Sequence, residues 1–114
     1  MKQFLIATLV AASTFCLAGT ASADSPWMTK ADAKHYADVY LGKSADVYPT
    51  AIECKMVDGK IMIRFQTRSG KKPFKKWQFT VSSDPLAELQ KINSGYRIVS
   101  SSNVRGRKCG LAYR

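Results

Sequence analysis

Residues 52–66 alternate more strictly than any other stretch of this chain, and they limit what it can fold into. Ile52, Cys54 and Met56 alternate with Glu53, Lys55 and Val57, then Asp58-Gly59 intervenes, and Ile61, Ile63 and Phe65 alternate with Met62, Arg64 and Gln66. A two-residue spacing puts successive side chains on opposite faces of a strand. Asp-Gly between two such runs is the signal of a two-residue type I′ hairpin, because both central residues of that turn need positive φ. The register follows: Met56 faces Ile61, Cys54 faces Ile63 and Ile52 faces Phe65 on the buried side. Glu53 then faces Arg64 on the other side, an opposite-charge cross-strand pair.

The rest of the chain is read around this hairpin. Thr29 with Asp32 three residues on predicts a helix start. Ala33, Tyr36, Ala37, Tyr40 and Leu41 then mark one helical face, and Gly42 is placed to end it. A third strand is expected over about 74–82, with Trp77, Phe79 and Val81 inward and with Trp77 opposite Phe65 and Phe79 opposite Ile63. Asp84-Pro85 predicts the cap and first position of a second helix with Leu86, Leu89 and Ile92 as its apolar stripe and Gly95 as its stop. Tyr96–Ser100 and Lys108–Tyr113 complete the pattern, joined around Asn103-Val104-Arg105-Gly106. The polar run Ser100-Ser101-Ser102-Asn103 is read as turn chemistry, with hydroxyls that bind a sugar or phosphate as the alternative. The expected fold is an α+β domain. It has a small antiparallel sheet of about five strands in the order α-β-β-β-α-β-β, two helices packed on one face and one disulfide. From Trp77 onward the outline of strand, short helix, Gly-Tyr and two strands ending in Tyr-Arg resembles small bacterial domains of unknown function that end in a Gly-Trp or Gly-Tyr strand pair. That resemblance implies no activity.

The first residues carry an address. Lys2 precedes an apolar stretch from Phe4 to about Ala18, and Gly19-Thr20-Ala21-Ser22-Ala23 ends in an A-x-A pattern. This predicts a secretory signal peptide over 1–23 and a single domain over 24–114. The apolar run falls short of the ~20 residues that a spanning helix needs. Ser13-Thr14-Phe15 before Cys16 do not supply a lipoprotein signal. Cleavage would leave Cys54 and Cys109, which in an oxidising compartment are expected to pair with each other. Neither has a second Cys or a His at metal-ligand spacing, so no metal and no cofactor are expected.

Charge dominates what remains. Eighteen Lys and Arg against eight Asp and Glu give a formal net charge of +10. No acid occurs between Gly59 and Ser83, and none after Glu88. His35 is the only histidine, and no nucleophile elbow, zinc-protease motif or phosphate-cradling glycine loop occurs, so catalysis is not expected. A small secreted hydrolase is the enzymatic alternative. The expected binding residues are Lys55, Arg64 and Lys76 on an outward sheet face and Arg68, Lys71, Lys72 and Lys75 in and beside a loop. Phe74 stands among the lysines, and Arg105, Arg107 and Lys108 lie in the last turn. Phe74 is open to two readings, as a ring that stacks on a base or sugar or as a cover for the edge of the core. Such basic asymmetry bears on polyanion association rather than on fold. The functional expectation is a periplasmic or secreted non-enzymatic protein. Its partner is an anionic envelope or extracellular polymer, or a membrane surface. The alternative is a module that binds an acidic protein partner, such as an inhibitor, an immunity protein or an accessory subunit.

Overall fold

The computed structural model describes residues 22–41 and 46–114. In chain order its elements are β1 (Ser22–Asp24), β2 (Met28–Thr29), α1 (Lys30–Tyr36), which runs into a wider π-helical turn at Ala37–Leu41, β3 (Val47–Val57), β4 (Lys60–Ser69), β5 (Trp77–Ser82), α2 (Pro85–Ile92), β6 (Arg97–Val104) and β7 (Arg107–Tyr113). The signal-peptide reading, apart from Ser22 and Ala23, lies outside the described residues, as do Cys16 and Gly42.

The β3–β4 hairpin forms in the expected register, with Ile52 opposite Phe65, Cys54 opposite Ile63, Met56 opposite Ile61 and Glu53 opposite Arg64. Asp58 and Gly59 take φ of 49° and 77°, the left-handed values that a type I′ turn demands. Arg64 donates from Nε and Nη2 to Glu53 Oε1 at 2.9 and 2.7 Å. The ladder slips once, between Pro49 and Ala51, where proline has no N–H to contribute.

The third strand departs from expectation. β5 pairs with β7, Trp77 opposite Tyr113 and Phe79 opposite Leu111, and not with β4. The apolar match with Phe65 is met in another way: the Trp77 and Phe79 rings meet Phe65 edge-on, centroids 5.9 and 5.2 Å apart. Side chains that satisfy each other across a core need not be ladder partners. The single expected sheet is therefore two. One has β4 flanked by β3 on one side and by the short β1 and β2 on the other; the second has the order β5-β7-β6. β1 and β2 were not expected. Ser25, between them, donates its N–H to Phe65 O at 2.8 Å and accepts the Phe65 N–H on its hydroxyl at 2.9 Å.

Three devices join the sheets. The Cys54–Cys109 disulfide spans β3 and β7 with Cα atoms 6.4 Å apart. Beside it, the Ile52 N–H donates to Ser100 Oγ at 3.0 Å and the Cys54 N–H to Ser102 Oγ at 3.4 Å. These serines stand in β6 and not in a turn, so that expectation is corrected. The turn itself is tighter, with Arg105 and Gly106 at φ of 46° and 79°, a second hairpin of the same left-handed kind. The phenol of Tyr113 donates to the Pro49 carbonyl and ties β7 to β3 once more.

Each helix covers its own sheet. Thr29 Oγ1 accepts the Asp32 N–H at the start of α1, and α1 packs against β2 and β4. Tyr36 stacks on Phe65 with ring centroids 6.2 Å apart. In the wide turn the expected face splits: Leu41 is buried (1% exposed) while Tyr40 is 63% exposed. Asp84 caps α2 through the Ala87 N–H, with Pro85 behind it. Of the expected stripe only Leu89 is buried; Leu86 and Ile92 face outward.

Candidate functional site

The basic residues fall into three places. On the outer face of the hairpin, Lys55 and Arg64 are already engaged. Lys55 Nζ lies 4.2 Å and Arg64 Cζ 4.6 Å from the centroid of the Trp27 ring. Arg64 is also neutralised by Glu53 and approached by Asp24 at 3.9 Å. A cation resting on an aromatic face beside two carboxylates is held by its own protein. Trp27 belongs to the segment between β1 and β2, and only tertiary folding brings it over these two strands. Lys76 does not share this face. It lies in the connection before β5, which belongs to the other sheet.

The second place is the end of the molecule where β4 leaves and β5 begins. Residues 70–76 connect the two strands, and Arg68 precedes them on β4. The connection is fastened by its main chain. Gly70 N donates to Asp46 O at 2.7 Å, and Lys75 N and Lys76 N both donate to Arg114 O, at 2.7 and 3.1 Å. Arg114 N returns a bond to Lys76 O at 3.0 Å. Leu41, Lys72, Phe74, Lys75, Lys76 and Trp77 line an open cavity of 380 Å³ here. Phe74 is half-buried and packs against the core. Its ring lies 4.4 Å from Tyr113 and edge-on to Tyr48 at 5.8 Å, so it covers the core edge and floors the lysine cluster at once. Lys71, Lys75 and Lys76 are exposed around it. Arg97, opposite Tyr113 in the ladder, comes to the same end.

The third place is the opposite end. Arg105, Arg107 and Lys108 sit in and just after the β6–β7 turn, all exposed. Lys108 faces Ser82, the last residue of β5, whereas the lysine cluster precedes Trp77, its first. Six strand residues at about 3.3 Å each put roughly 20 Å between the clusters. They are two surfaces, not one. Lys30 and Lys60, for which the sequence carries no local signal, join the arginine end. Their proximity depends on how two hairpins and a helix start converge, and no local pattern carries that.

Two tyrosines are perturbed. Burial pushes the Tyr113 phenol above its ordinary value, with Tyr48 adding to the rise and Arg68 opposing it. Burial and then Tyr40 raise Tyr36. His35 is exposed on α1. Among the described residues no three His, Cys, Asp or Glu side chains cluster as metal ligands, and no helix is long and apolar enough to cross a membrane. Comparison with protein-family models, with curated proteins and with solved structures finds no match for this chain.

Proposed function

We propose that this chain is an exported, non-enzymatic protein, periplasmic or secreted, that holds an anionic envelope or extracellular polymer on the lysine end described above. The observation that carries the reading is the cavity in which Lys72, Lys75 and Lys76 surround Phe74 and Trp77. Cations over an aromatic floor attract a charged backbone and offer its rings or sugars an apolar surface to rest on. The main chain beneath Lys75 and Lys76 is already fixed by Arg114, so the ordering cost of binding falls on the side chains and not on the backbone. Lys55 and Arg64 contribute less to this reading than their sequence positions promised, because Trp27 and two carboxylates occupy them.

The test replaces Lys71, Lys72, Lys75 and Lys76 with Gln and measures binding to heparin and to duplex DNA across a salt series. Counterion release makes affinity fall with salt, with a slope near −0.9 per neutralised phosphate on B-DNA. The variant is expected to elute from heparin at lower salt and to show a shallower slope on DNA. Unchanged elution and slope would overturn the reading.

A protein-binding role has one observation of its own. Phe79, Leu89 and Ile92 line a 270 Å³ cavity with Lys30 and Lys34 between the two helices. A discrete protein band captured from envelope extract at moderate salt, and lost on Ile92→Ala, would favour it.

A further inference from the structure

At the arginine end, both left-handed hairpin turns are followed at once by a cation. Lys60 comes directly after Asp58-Gly59, and Arg107 directly after Arg105-Gly106. Lys30, the first residue of α1, meets them across an open cavity of 430 Å³. Ala31, Ile61 and Val81 supply apolar lining. The Arg107 guanidinium is held at the rim by donating from Nη2 to Val81 O at 3.5 Å. No carboxylate lines this cavity; the acids nearest in sequence, Asp32 and Asp58, lie on α1 and in the hairpin turn outside it.

We propose that this cavity is a second site, separate from the lysine end, and that it takes a phosphate monoester carrying an aliphatic chain. Three cations drawn from three elements, with no acid in the lining, suit a doubly charged head. Arginine's planar fork matches phosphate oxygens in pairs. The volume lies in the ~300–1,000 Å³ range of small-molecule sites, which are mostly apolar with a few convergent polar groups. The lining has aliphatic side chains and no aromatic ring. It therefore offers methylene groups a surface but gives a nucleobase nothing to stack on, in contrast to the Phe74 and Trp77 floor at the other end.

The experiment titrates the purified protein with a single-chain lysophosphatidate kept below its micelle concentration and follows backbone amide shifts by NMR. Inorganic phosphate and an uncharged lysolipid of the same chain length are the controls. Saturable one-to-one shifts are expected at Lys60, Ile61, Val81 and Arg107. Affinity should fall at least tenfold for each control and for Lys60→Glu and Lys30→Gln, two exposed positions whose replacement leaves the core intact. The four-lysine variant of the other end should bind lysophosphatidate as the parent does, which separates this proposal from the polymer reading. Shifts centred on residues 70–76, inorganic phosphate binding as tightly as the lipid, or full affinity in both charge variants would each overturn it.

Discussion

Gly110 shows how much one absent methyl group can decide. A Cβ there would lie 2.5 Å from Pro85 Cβ and 3.2 Å from Ile98 Cδ1. The proline ring cannot rotate away, so α2 rests on β7 only because residue 110 has no side chain. Gly110→Ala is expected to destabilise the protein by about 1–3 kcal/mol, the usual cost of overpacking. The readout is a lower denaturant midpoint at unchanged slope, and an unshifted midpoint would mean that α2 does not bear on this strand. At this scale the sequence is informative wherever a residue has a period to belong to. Alternation places Trp77 and Phe79 inward, and inward they are. Phe74 belongs to a connection that has no period, so its contact with Tyr113 and Tyr48 was one of two open readings. Trp27 left no local signal, because the cations around it arrive from β3 and β4.

Among the elements, what was legible was local. The β3–β4 hairpin encodes its turn, its register and its Glu53–Arg64 pair within fifteen or so consecutive residues, and both helix starts announce themselves by their caps. Partners distant in the chain were not legible. The assignment of β5 to β4 failed because apolar matching does not distinguish a neighbour in the ladder from a ring facing it across the core. The disulfide was readable only because the expected export of the chain left two cysteines on matching faces. It closes a separation of 55 residues, for which chain-entropy reasoning gives about 4 kcal/mol. Replacing Cys54 and Cys109 together by Ala is expected to lower stability by up to that amount in equilibrium unfolding. A double variant as stable as the parent would show that the serine hydroxyls of β6 and the Tyr113 phenol join the sheets unaided.

For the molecule as a whole, the Tyr113 and partly buried Tyr36 phenols bear on alkaline stability. Both Tyr36 and Tyr113 have folded values above the ordinary 10.0, chiefly from burial. Below that value both folded and unfolded chains keep the protons, and the stabilisation is complete. As pH rises past it, the unfolded chain releases protons that the folded one retains, so stability falls until the folded values are passed. Circular dichroism against pH is expected to show unfolding free energy declining above pH 10.0. A flat profile there would contradict the burial of these groups. The two basic ends belong to this scale too, since their separation follows from the antiparallel pairing of β5 with β7, which the order of residues along the chain does not reveal. The bonds from Lys75 and Lys76 to Arg114 then have a consequence for recognition. They fix where Lys75 and Lys76 leave the backbone, a comb whose roots have a set spacing. On the proposed polymer reading, such a comb would sort chains by how closely their charges are strung, and the Phe74 and Trp77 floor would add a preference for units that can rest on a ring.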